Sequence, residues 1–116
     1  MQILLSCAKD MASKPLTYPS ERANEPRFIA EAKEIATEMM NFSTEELEEM
    51  LKINSKLANQ NWLRYQHFLQ AGDISHAALA FTGMAYKHLK ATAFSQEDIH
   101  FANQHLWITS FLYGLL

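Results

Sequence analysis

The sequence has a single cysteine, Cys7, so no disulfide can form within the chain, which fits a reducing, cytoplasmic setting. It has only three glycines and three prolines, with 48% hydrophobic and 20% charged residues. That balance argues against disorder and for one domain, residues 1–116, with a modest core. No apolar run approaches the roughly 18 residues of a membrane span. The opening MQILLSCAKD lacks the basic segment and long apolar stretch of a signal peptide. Basic charge is not in excess either. A net charge of -3 argues against non-specific coating of nucleic acid, so any such contact must come from a local patch. There is no glycine-rich phosphate loop, and no catalytic triad can be assembled.

What is present centres on Phe42 to Leu69, FSTEELEEMLKINSKLANQNWLRYQHFL, which predicts two helices joined by a short hairpin. Ser43 can cap the first helix, Glu46 can close a capping box, and Phe42 can staple onto Leu47. Leu47, Met50 and Leu51 make its apolar side. The break is expected at Lys52-Ile53-Asn54-Ser55, with Asn54 left-handed and Ser55 capping the second helix. There Ala58, Trp62, Tyr65 and Leu69 make one stripe, with Lys56, Gln60, Arg64 and His67 on or near the opposite side. Charge changes sign inside the hairpin. Glu21 to Glu49 carries nine glutamates against Arg22, Arg27 and Lys33, whereas Lys52 to Lys90 carries five cations against Asp73. A basic tip beside free helix-start amides is a candidate phosphate site, to be weighed against an ordinary solvated face.

Elsewhere, Gln2 to Cys7 reads as a strand buried on both faces, followed by a polar connection through Pro15 and Pro19. Phe28, Ala32, Ile35 and Met39 mark an amphipathic helix from about Glu25 to Asn41, with Pro26 in its first turn. Its outer Glu31, Glu34 and Glu38 read as a solvated acidic face rather than metal ligands. Ala71-Gly72-Asp73 reads as a turn, His76 to Phe81 as a second buried strand, and Met84 to Lys90 as a short helix. Phe94 to Ile99 repeats the helix-start signal, with Ser95 and Asp98 as the box, for a helix reaching about Leu106. Leu106 to Leu116, LWITSFLYGLL, reads as a third strand. Because it ends apolar, with an edge that invites association, the chain is expected to be the front part of a larger fold.

Ser6-Cys7-Ala8-Lys9 matches the S-x-x-K pattern of penicillin-binding enzymes, but the S-D-N and K-T-G elements are absent. Ser6, Cys7 and Lys9 still leave a strand end, where α/β sheets commonly bind ligands, and Tyr86 is a candidate fourth member of that pocket. Cys7 is a candidate peroxide-sensitive thiol if Lys9 lowers its pKa, against the more usual buried structural cysteine. Glu97-x-x-His100 has the spacing of bundle di-iron sites, but only one copy exists. His67, His76, His88, His100 and His105 show no ligating pattern, so no metal site or cofactor is expected.

Four stretches, in order, resemble the bacterial YaaA-like peroxide-stress proteins. LLSCAKDM resembles their ISPAKTLD, and FSTEELEEMLKINSKLANQNWLRYQHF resembles LSxxELxxLMKISDKLAxLNxxRFxxF. LAFTGMAYKHL resembles LAFKGDVYxGL, and FSQEDIHFANQHLWITSFLYGLL resembles LSEEDLDFAQxHLRxLSGLYGLL. The resemblance implies a cytoplasmic protein of the oxidative-stress response that limits free iron, and DNA binding through a helix-hairpin-helix falling on Lys52 to Lys56. The family's opening Ser and Lys correspond to Ser6 and Lys9. Cys7 and Asp10 stand where the family has Pro and Thr, Thr82 and Met84 where it has Lys and Asp, and Trp107 and Phe111 where it has Arg and Gly. The hairpin lacks the glycine usual in such elements. Family members continue into an RPLD…PYRLEMG segment and a large C-terminal half.

The expectation is therefore an α+β fold, helix-rich, with about three strands of a larger mixed sheet and four or five helices including the hairpin. Its leading function is non-enzymatic: a stress protein that limits iron and holds DNA, largely independently of sequence, through Lys52, Asn54, Ser55, Lys56 and Arg64. The alternative is an enzyme with a site at the strand exits, using Ser6, Lys9 and Tyr86 and completed by the C-terminal half. A third expectation is self-association through the C-terminal apolar strand.

Overall fold

In chain order the elements are β1 (Ile3–Leu5), β2 (Asp10–Met11), α1 (Ile29–Met39), α2 (Thr44–Leu51), α3 (Ser55–His67), α4 (Ala77–Ala80), β3 (Phe81–Thr82), α5 (Met84–Leu89), α6 (Gln96–His105), β4 (Leu106–Ser110) and β5 (Gly114–Leu115). A 3₁₀ turn, Ala91–Ala93, follows α5. The computed structural model describes residues 1–14, 16–18, 24–70 and 74–116. Pro15, Pro19, Glu21, Arg22 and the turn expected at Ala71-Gly72-Asp73 lie outside them. The class is α+β. Two compact units divide the chain, one formed by Met1–Arg27 with Asp73–Leu116, the other by Phe28–Gly72.

The Phe28–Gly72 unit is the helical one. Ser43 Oγ accepts from the Glu46 amide and Glu46 returns the bond to the Ser43 amide at 2.8 Å, so the expected capping box starts α2. Fully buried Leu47 contributes roughly 2 kcal/mol of apolar burial at the centre of this unit. Met39 and Ala58 join it, with Phe42, Leu51, Ile53, Trp62 and Tyr65 packed around them. Gln66 Nε2 donates to the Met40 carbonyl at 3.0 Å and ties α3 to the end of α1. Several sequence expectations are corrected here. α1 starts at Ile29 rather than near Glu25, because the Phe28 backbone, at φ -104° and ψ 35°, is not helical. Its buried stripe is Ala32, Ala36 and Met39, while Phe28 and Ile35 are exposed. Leu69 lies past the end of α3 and is exposed, so it drops out of the α3 stripe.

In the other unit, β1 pairs in parallel with β4, and β4 pairs antiparallel with β5, giving a three-stranded mixed sheet in the order β1-β4-β5. β2 and β3 form a separate antiparallel pair. Its buried side chains are Ala80, Tyr86, Ala91, Ile99 and Ile108. α6 begins with the second expected capping box, Ser95 with Asp98. β1 is not buried on both faces, since Leu4 is 68% exposed. The strand expected at His76 to Phe81 is a helical turn, α4, that becomes extended only at Phe81. Three alanines favour the helix, and an apolar run this short does not distinguish strand from helix by periodicity. Leu106 to Leu116 is a hairpin rather than one strand. Ser110 Oγ accepts from the Leu112 and Tyr113 amides, and Gly114 takes φ 79°, which together reverse the chain. No described helix is long and apolar enough to cross a membrane.

Candidate functional site

The hairpin between α2 and α3 is built by two terminal devices, and both differ from their expected residues. Lys52, not Asn54, takes the left-handed conformation, at φ 53° and ψ 49°, and ends α2 with its amide donating to the Glu48 carbonyl. The Ile53 amide shares that carbonyl at 3.2 Å. Asn54, not Ser55, caps α3: its Oδ1 accepts from the Leu57 amide at 2.9 Å, and Ser55 becomes the first helical residue. Physically, Asn54 is extended, at φ -81° and ψ 165°, which is what a cap requires.

The result places Lys52, Asn54, Ser55 and Lys56 together and exposed at one tip. Arg64 is not brought there. It lies nine residues along α3 from Ser55, about 13 Å by helical rise, and is half-buried. The electrostatics of the tip are asymmetric. The first turns of α1, α2 and α6 carry Glu31, then Glu45 and Glu46, then Glu97 and Asp98, whereas that of α3 carries no acid. Lys56 sits in that turn instead, so the positive end of the α3 dipole is reinforced rather than neutralised. Against this, a shallow recess of about 390 Å³ lined by Phe42, Glu46, Glu49, Met50 and Lys52 places carboxylates on the α2 side. The tip is thus a small cationic point beside an acidic helix.

At the strand exit, Ser6 and Tyr86 meet through one contact: the Tyr86 hydroxyl donates to the Ser6 backbone carbonyl at 2.6 Å. Burial pushes the Tyr86 phenol up, and the nearby Cys7 thiol adds to the effect. Gly83, at φ 134°, lets this loop close: a Cβ there would lie 3.5 Å from Ala8 Cβ, on a backbone only glycine adopts readily. Cys7 is half-buried, while Ser6 and Lys9 are exposed. The cluster therefore gathers Ser6, Cys7 and Tyr86, with the tyrosine hydroxyl already committed to the backbone. Among the described residues, no group of three or more His, Cys, Asp or Glu side chains converges as a metal site would require.

A third feature had no signal in the sequence. Leu16, Thr17 and Tyr18, Leu79, Thr92, and Phe94, Gln96 and Ile99 enclose a half-open cavity of about 320 Å³. Its walls come from separate segments, and neither motif nor periodicity links them.

The model of the family described as peroxide stress protein YaaA matches residues 1–116. A UPF0246 protein of Bacteroides thetaiotaomicron is 45% identical over 122 residues, covering all of this chain and 45% of that protein. One of Bacteroides fragilis is 46% identical over 117 residues, covering all of this chain and 45% of its own length. A Porphyromonas gingivalis UPF0246 protein is 43% identical over 118 residues, again covering all of this chain and 46% of its own. The chain thus spans a little under half the length of the curated relatives it matches, and it belongs to the YaaA peroxide stress protein family.

Proposed function

We propose that this chain is part of a cytoplasmic peroxide-stress protein that limits free iron and associates with DNA through the α2–α3 hairpin. Ferrous iron reduces hydrogen peroxide to hydroxide and a hydroxyl radical, being oxidised to the ferric state, and the radical attacks DNA. A family that answers peroxide by limiting iron would remove one reactant, and a DNA-associating member would act where the damage falls. Family membership supports the stress role. The observation that carries the DNA reading is the start of α3. Its first turn holds Lys56 and no acid, with exposed Lys52 beside it in a left-handed turn. Free helix-start amides and two lysines suit a phosphate group and carry no base readout, so the contact would be independent of sequence.

The test is fluorescence anisotropy of a short labelled duplex titrated with the folded chain at several salt concentrations. Two lysine–phosphate contacts predict a slope of log affinity against log salt of about -2. The double variant Lys52→Glu, Lys56→Glu should lose binding, while Arg64→Gln should leave the slope unchanged because Arg64 is outside the tip. Unchanged affinity in the double variant would remove the hairpin from the account.

We also propose self-association through the β1-β4-β5 sheet. The supporting observation is an exposed apolar face carrying Leu4, Trp107 and Leu115.

A further inference from the structure

The cavity in the Met1–Arg27 and Asp73–Leu116 unit is held open by Tyr18. The Tyr18 amide donates to His76 Nδ1 at 3.3 Å, just before α4, whose Leu79 is part of the cavity wall. The Tyr18 hydroxyl donates to the Ala91 carbonyl at 2.8 Å, at the 3₁₀ turn that supplies Thr92. The Tyr18 and His76 rings pack at 4.9 Å, tilted by 59°. One residue thus pins three segments around the cavity, so its shape is set before anything enters.

Its lining sorts into two layers. Tyr18, Leu79, Phe94 and Ile99 are half-buried or buried and form an apolar, partly aromatic floor. Leu16, Thr17, Thr92 and Gln96 are exposed at the mouth, and the side chains of its three polar residues make no hydrogen bond among the described residues. Among the described residues no carboxylate or cation lines it, and burial pushes the Tyr18 phenol up, keeping it neutral. A charged ligand would lose hydration there without gaining a partner. A planar apolar body fits the floor, while the Gln96 amide offers a donor and an acceptor side by side, complementary to another amide-like edge. A pre-formed space of this size with a few convergent polar groups is typical of small-molecule sites.

We propose that this cavity binds a free, neutral, planar heterocycle with an amide-like donor–acceptor edge, of the size of a nucleobase. The site is separate from the hairpin and does not depend on its reading.

The test follows the amide resonances of the full chain by NMR during titration with uracil and hypoxanthine, with indole as a planar probe lacking the paired edge. Saturable shifts confined to residues around Thr17, Thr92 and Gln96, tighter for uracil or hypoxanthine than for indole, are expected. Gln96→Leu, on the exposed first turn of α6, should weaken binding about tenfold without disturbing the fold. Leu79→Trp should abolish binding by filling the space. Lys52→Glu with Lys56→Glu should leave it unchanged, which separates this site from the hairpin. Absence of saturable shifts in the folded chain, equal affinity for indole, or an affinity indifferent to Gln96→Leu would overturn the proposal.

Discussion

Lys52 occupies a left-handed position where glycine would be at ease, and a side chain there costs roughly 1 kcal/mol or more. Lys90, at φ 50°, makes the same turn after α5. A lysine kept in that conformation at the hairpin costs stability while leaving an exposed cationic side chain at the tip. Lys52→Gly should therefore raise the unfolding free energy by about 0.5–1 kcal/mol while lowering duplex affinity and reducing the salt slope by about 1. Chemical denaturation and anisotropy on the same sample measure both. Loss of stability would show that the Lys52 side chain packs rather than projects. At this scale the sequence was partly legible. Lys52-Ile53-Asn54-Ser55 marked the break, but Asn54 is favoured both in left-handed turns and at caps, and only the backbone shows that it serves as the cap.

The two capping boxes were the most legible elements, because their physics is local: a hydroxyl, an amide and a carboxylate three residues apart. Elements that depend on distant partners were less so, as α4 and the β4–β5 hairpin demonstrate. The boxes also predict a response to acid. Hydrogen bonds from the Ser95 hydroxyl and amide hold the Asp98 carboxyl below its ordinary value of 3.8. A depressed carboxylate stabilises the fold fully above its unfolded pKa, and that contribution is lost as pH falls through the folded one. The same sign holds for Glu45, held below 4.5 by its own backbone amide and the neighbouring Thr44 and Ser43 side chains. Thermal melts from about pH 5 to about pH 2.5 should thus show stability falling below about pH 4. Ser95→Ala should be less stable at neutral pH and lose less on acidification. Ser43→Ala should cost about 1 kcal/mol at neutral pH. A Ser95→Ala variant whose pH profile parallels the parent would separate the box from acid sensitivity.

For the molecule as a whole, the apolar strands were evident from composition, yet what covers them was not. Leu4 pairs with Trp107 and Leu115 with Thr109, and Trp107 and Thr109 are two residues apart, so all four share one face of the sheet. Leu5 and Ile108 point to the other face, where Ile108 is buried. The unbroken apolar run of β1 predicted burial on both sides, but Trp107 remains 41% exposed and Leu4 68%. Such a run specifies burial without specifying the partner. A second copy of this chain would supply it under the self-association proposed above. Sedimentation equilibrium should show a monomer–dimer transition as concentration rises, reversed by Leu4→Ser with Trp107→Gln. In a Trp62→Phe background, which leaves Trp107 as the one tryptophan, fluorescence should shift to the blue on association as the ring leaves water. Trp107 Nε1 donates to the Gln2 side-chain Oε1 at 2.6 Å, which ties the indole to the residue before β1, so its emission reports on this face. A chain that stays monomeric, with invariant Trp107 emission up to about millimolar concentration, would show that this face does not recruit a second copy.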